Sequence, residues 1–96
     1  MTFTEEADAD LMAISDEGTR GVIVRRAAEL RGEPLKLGKP LTGRLKNYLS
    51  VRAAGQRYRI VYRVAEQAGQ VIVVVIGIRK AGDKRDAYAV AEKRLT

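Results

Sequence analysis

Residues 55–64 read Gly55-Gln56-Arg57-Tyr58-Arg59-Ile60-Val61-Tyr62-Arg63-Val64, or GQRYRIVYRV. A period of two runs through this stretch. Tyr58, Ile60, Tyr62 and Val64 fall on one side of an extended chain, and Arg57, Arg59, Val61 and Arg63 fall on the other. The β-branched and aromatic residues favour that extended form. The arginines raise a separate question, because guanidinium groups on one strand face repel one another. They point to an anionic partner for that face. The alternative is a charged surface that keeps the sheet from pairing with another chain.

The period of two continues on both sides. Leu49, Val51 and Ala53 alternate with Tyr48, Ser50 and Arg52, and Ala54 with Gly55 supplies the turn into the next strand. Gln67, Ala68 and Gly69 turn the chain again. Val71 to Ile78 is a β-branched run broken by Gly77, as expected for a central strand covered on both faces. The glycine implies a bulge or a close approach of another backbone. Three such strands make an antiparallel meander, and Arg52 shares a face with Arg59 if the first hairpin keeps register.

Helical spacing appears before and after the strands. Thr4 is placed to cap a helix whose first turn carries Glu5 and Glu6, with Ala7, Leu11 and Ile14 on one face. Ser15, Asp16, Glu17 and Gly18 break it. Ile23, Ala27 and Leu30 mark a second helix, with Arg25, Arg26 and Glu29 more exposed, ended by Gly32 and Pro34. Residues 32–43 read as a connector over the surface. Asp83 is the expected N-cap of a C-terminal helix over residues 84–95, with Asp86 in its first turn and Lys93 and Arg94 solvated. The fold class is α+β: a helical hairpin packed on the Tyr58–Val64 face of a small antiparallel sheet, then a C-terminal helix. The 96 residues form one domain, 1–96.

Composition narrows the chemistry. The chain has no cysteine and no histidine, which excludes disulfides, thiolate nucleophiles, the usual zinc sites and imidazole acid–base catalysis. We expect neither metal nor other cofactor. The net charge of +6 is unevenly placed. Residues 1–42 carry six basic and eight acidic side chains, and residues 43–96 carry twelve basic and four acidic. A net charge of −2 thus precedes one of +8, so the second half is suited to nucleic acid or an acidic protein segment. No apolar run approaches the roughly 18 residues that span a membrane. Met1 to Glu6 is acidic and lacks the regions of a signal peptide. The expected location is the cytoplasm, without a membrane partner.

The candidate site follows from the sheet. Arg52, Arg57, Arg59 and Arg63 share its second face, Arg79 ends the last strand, and Lys80, Lys84 and Arg85 follow in the loop. Tyr88 lies in the first turns of the last helix, where a phenol reaches toward the same sheet, and Lys46 precedes the first strand. Arginine suits phosphate better than lysine does, because its planar fork binds two oxygens and stays charged. No Walker or dinucleotide-binding glycine loop is present.

The ordered set PLTGRLKNYLSVR (40–52), RYRIVYRV and VIVVVIGIRKAGDKRDAY (71–88) resembles the RelE/ParE superfamily of type II toxins, over nearly the whole chain. FTEEADADL near the start is similar to the way that family enters its first helix. The family begins with a strand, for which only Met1 to Phe3 is available here. The resemblance implies a RelE-like fold akin to microbial ribonucleases, and a toxin held inactive by a cognate antitoxin through an acidic or amphipathic segment. RelE-type members cut messenger RNA on the ribosome without metal. Their sheet arginines match Arg59 and Arg79, and their C-terminal tyrosine matches Tyr88, with three extra residues around Ala81 to Asp83 between the last two. The founding member's two strand lysines fall within Leu49 to Arg52, where Arg52 replaces one cation and Lys46 is a more distant substitute.

The resemblance therefore implies a catalytic set of Arg52, Arg59, Arg79 and Tyr88. Lys46, Arg57, Lys80, Lys84 and Arg85 would bind RNA phosphates, and no residue would hold a metal. The leading expectation is a ribosome-dependent mRNA interferase. The alternative is a ParE-type toxin that inhibits DNA gyrase by binding it, without nuclease activity.

Overall fold

A computed structural model describes residues 1–65, 67 and 69–96. The stretch that reads as a strand forms β4, Tyr58–Val64, and sits at the centre of a five-stranded sheet of order β1-β5-β4-β3-β2. β3 is Leu49–Ala53 and β5 is Val71–Ile78, both antiparallel to β4. The expected meander is therefore present, with two short strands added outside it. β1, Thr2–Phe3, pairs parallel to β5, and β2, Lys39–Pro40, pairs antiparallel to β3. The first strand of the resemblance is thus present, cut to two residues. The centre belongs to β4 and not to the more apolar β5, whose outer neighbour β1 covers only Ile72 and Val73.

The helices follow their caps. α1, Glu5–Met12, starts at Thr4, whose side chain accepts a hydrogen bond from the Ala7 N–H at 3.1 Å. α2, Glu17–Glu29, starts at Asp16, which accepts from the Thr19 N–H at 2.8 Å. Pro34 does more than stop the chain: it occupies the first turn of a short helix α3, Pro34–Leu37, inside the expected connector. A 3-10 turn follows at Gly43–Leu45. The last helix, α4, is Ala87–Leu95 and begins later than expected. Its N-cap is Asp86 and not Asp83, because the Asp86 carboxylate accepts from the N–H groups of both Tyr88 and Ala89.

Two apolar layers sandwich the sheet. On one face Ala7, Leu11, Ile23, Ala27 and Leu30 of the helical hairpin pack on Ile60, Tyr62, Val71 and Val73, with Tyr58 and Val64 at the margin. On the other, Ala87 and Ala91 of α4 pack on Val61, Val74 and Val75. The strand alternation thus assigns residues to faces as expected. A bulge where Val61 and Tyr62 face Val75 and Val73 leaves Val74 unpaired in β5. Gly77 lies beyond that bulge and marks a close approach instead: a Cβ there would meet Ala87 Cα at 3.1 Å.

Beyond Val73 the outer edge of β5 has no strand partner. Asp10 of α1 and Arg94 of α4 cover it. The Asp10 carboxylate accepts from the Ile76 N–H at 3.0 Å, and Arg94 donates to the Val74 carbonyl at 3.0 Å. The two side chains also join each other through bonds of 2.8 and 3.0 Å. Arg94 is therefore an anchor of α4, not a solvated helix residue. The turn expected at Gln67, Ala68 and Gly69 includes Ala68, which lies outside the described residues. No helix among the described residues is long and apolar enough to cross a membrane.

Two turn positions give opposite expectations. Gly38 lies against the fully buried Tyr62, whose hydroxyl donates to the Pro34 carbonyl at 2.5 Å. A Cβ at residue 38 would fall 1.9 Å from that hydroxyl and 2.7 Å from the ring carbon bearing it. Gly38→Ala should therefore destabilise the fold by about 2 kcal/mol. Ala54 turns the β3–β4 hairpin at a φ of 51°, a conformation that costs a residue with a Cβ about 1 kcal/mol. Ala54→Gly should raise the urea midpoint by a similar energy, with an unchanged slope.

Candidate functional site

The register of the sheet builds the site. Arg52 on β3 lies directly opposite Arg59 on β4, and Arg59 opposite Gly77 on β5. Residues directly opposite have Cβ atoms about 5 Å apart, and like charges so placed destabilise a sheet. Arg63 follows on the same face four residues further along, beyond Val61 and the bulge. No carboxylate among the described residues forms an ion pair with Arg52, Arg57, Arg59 or Arg63. The Arg59 guanidinium donates only to backbone carbonyls, those of Gln56 at 2.8 Å and Tyr58 at 3.1 Å. Neutral partners leave its charge uncompensated.

The remaining expected residues divide differently. Arg79 is ion-paired with Asp86 at 2.6 Å and stacks on the Tyr88 ring, 4.8 Å from its centroid. The Tyr88 hydroxyl lies 2.9 Å from Ser50 Oγ, on the strand position two before Arg52. The structure therefore brings Arg52, Arg59, Arg79 and Tyr88 to the face that α4 borders. Lys80 and Arg85 are drawn to Asp83, at 3.8 and 3.2 Å. Arg57, Arg79, Lys80 and Arg85 line a cleft of about 440 Å³ at the end of the sheet. Lys84 joins Arg57 and Arg85 around a second, of about 850 Å³, which runs under the α1–α2 turn. Lys46 caps the 3-10 turn, exposed to solvent, and is not brought to either cleft.

Two residues that the sequence pattern does not single out hold this arrangement together. Asp86 is 4 % exposed and Ser50 is 5 % exposed. Asp86 accepts from Arg79, from the Lys80 N–H at 2.6 Å, and from the first two N–H groups it caps. Burial alone would raise the pKa of this carboxyl. The hydrogen bonds from Arg79, Lys80, Ala89 and Tyr88 outweigh that and hold it below the ordinary carboxylate range. Asp83 is held at about 2, first by the side-chain bond from Arg85 and then by the Arg85 N–H. The available signal for Asp86 was its place two residues before Tyr88, at a helix start. For Ser50 it was a small hydroxyl between Leu49 and Val51. Among the described residues no group of His, Cys, Asp or Glu is arranged to hold a metal ion.

A depressed carboxyl stabilises the fold fully above its unfolded pKa of about 4, and that stability is lost as pH falls through the folded value. Urea unfolding of the wild type and Asp86→Asn should show a constant gap near neutral pH that narrows below about pH 4. A gap unchanged down to about pH 2.5 would mean that the Asp86 charge contributes nothing.

No family model and no curated protein matches the sequence. Solved structures do match. The RelBE2 toxin–antitoxin complex of Mycobacterium tuberculosis contains a chain 29% identical to this one, with a TM-score of 0.70 over 79% of this chain and 93% of that one. A mutant of the Escherichia coli toxin RelE in the free state has a TM-score of 0.73 at 22% identity, over 99% of this chain and 95% of that one. A YoeB/ParE toxin from Agrobacterium tumefaciens has a TM-score of 0.66 at 24% identity, over 78% and 92%. The fold is that of the RelE-like toxins of type II toxin–antitoxin systems.

Proposed function

We propose that this chain is the toxin of a type II toxin–antitoxin system and acts as a metal-independent, ribosome-dependent mRNA interferase. One observation carries the reading: Arg52 and Arg59 stand opposite each other, without a counter-charge among the described residues, on a face that also presents Tyr88. A like-charge pair across two strands weakens the sheet, so its presence is better explained by an anion it receives. RNA supplies that anion as a phosphodiester.

Attack of a ribose 2′-hydroxyl, which gives up its proton to water, forms the new O–P bond as the bond to the 5′-oxygen breaks, and the leaving oxygen takes up a proton from water. Arg59 and Arg52 stabilise the charge that builds on the phosphorane, from positions fixed by the sheet before the reaction begins. Arginine does not deprotonate in proteins, so neither serves as the base. Arg79, committed to Asp86, orients Tyr88 against the phosphate. Arg57, Lys80, Lys84 and Arg85 hold the neighbouring backbone, and the ribosome fixes the approach of the 2′-hydroxyl. The similarity to a toxin–antitoxin complex supports a cognate antitoxin as partner, whose acidic or amphipathic segment neutralises the arginine face. A cytoplasmic location fits these partners.

A second reading rests on the strand itself. Leu49 to Arg52 offers no side chain able to act as a base near neutral pH. A ParE-type toxin that inhibits DNA gyrase by binding needs none.

Expression in a bacterial host, with mRNA 5′ ends mapped across the transcriptome, separates the two. New ends within translated frames are expected for the wild type and should disappear in Arg59→Ala with Arg79→Ala. Growth arrest without new ends would overturn the nuclease reading, and resistance from altered gyrase alleles would then favour the second. Because Arg79 also holds α4, Arg59→Thr is the cleaner single change. It should abolish cleavage while raising stability by about 0.5 kcal/mol through relief of the cross-strand repulsion.

A further inference from the structure

We infer that Ser50 is a positioning residue for Tyr88, fixing the phenol so that its O–H is presented to an RNA phosphate; this rests on the RNA-cleaving reading above. Ser50 and Asp86 are the buried polar residues among those described, and Asp86 is fully engaged. Among the described residues the Ser50 hydroxyl has one hydrogen bond, to Tyr88 at 2.9 Å. The cross-strand partner of Ser50, Val61 on the same face, is fully buried and apolar. A hydroxyl beside it costs stability that a valine would not, so packing does not explain the serine.

The geometry assigns the protons. Two hydroxyls joined by one hydrogen bond retain one unspent O–H between them. Ser50 is buried, whereas Tyr88 is only partly so. If Tyr88 donated, the buried serine proton would be left without an acceptor, which is the costly arrangement. Ser50 therefore donates to the phenol oxygen, and Tyr88 keeps its own proton directed outward. The ring is held from its face by the Arg79 guanidinium, itself tied to Asp86. The phenol is thus gripped at both ends, by a cation on the ring and by a serine on the oxygen. Its free O–H sits beside the strand position two residues from Arg52, within the arginine face.

Single-turnover cleavage on ribosomes programmed with a defined mRNA tests this. Ser50→Ala should slow cleavage about tenfold without changing the toxin concentration that half-saturates ribosomes, and Ser50→Thr should restore the rate. In a Tyr88→Phe background Ser50→Ala should add no further loss, because the two act as one unit. Thermal melts should show all variants folded. A wild-type rate in Ser50→Ala, or a full further loss in the Tyr88→Phe background, would overturn the inference. A slow hydroxyl-proton signal from Ser50 in the NMR spectrum, lost in Tyr88→Phe, reads the same contact without RNA. If the wild type shows that signal but cuts nothing, the nuclease reading fails while the contact stands. If it lacks the signal, the positioning role fails whatever the cleavage result.

Discussion

One carboxylate organises the functional end of this fold. Asp86 caps α4, ties down the end of β5 through Arg79, and accepts from the backbone of the loop between them. A buried charge is expensive unless it is paired and fully hydrogen-bonded, and here the donors are Arg79 and Lys80 before it and Tyr88 and Ala89 after it. Gly77 then lets Ala87 approach β5 closely, and Tyr88, one residue on, reaches Ser50 across the sheet.

Charge is divided in a consistent way. Of the cations from Arg79 onward, Arg79, Lys80, Arg85 and Arg94 are paired, with Asp86, Asp83 or Asp10. Among the described residues the arginines of β3 and β4 have no such partner. The uncompensated charge therefore rests on strands whose backbone is anchored by a hydrogen-bonded ladder and two apolar layers. Preorganised charge of this kind stabilises a developing anion without reorganising during the reaction. The basic balance of the second half, read from composition alone, thus separates into structural and available cations once partners are known.

Much of this was legible in the residues. The period of two in Tyr58–Val64 assigned both faces of the central strand, and Thr4 marked a helix start by a local rule that needs no tertiary information. The arginine row followed from the same alternation. What escaped depends on contacts between residues far apart in sequence. Asp83 and Asp86 are equivalent N-cap candidates until the helix is docked, and Arg94 looks solvated until Asp10, from the other end of the chain, is placed beside it. The two-residue strands β1 and β2 carry too few residues for any periodicity to reveal them. Ser50 has no pattern of its own, and only the arrival of Tyr88 gives it a role.

The cover over the outer edge of β5 has a consequence for handling and turnover. Asp10 and Arg94 occupy backbone groups that would otherwise be open to a strand from another molecule. Proteolytic trimming that removes Arg94 would uncover a β-branched edge, Val74 to Ile76, while leaving most of the apolar core assembled. Such a clipped chain would fail by sticking to its own kind rather than by unfolding, so the last turn of α4 acts as a guard on solubility.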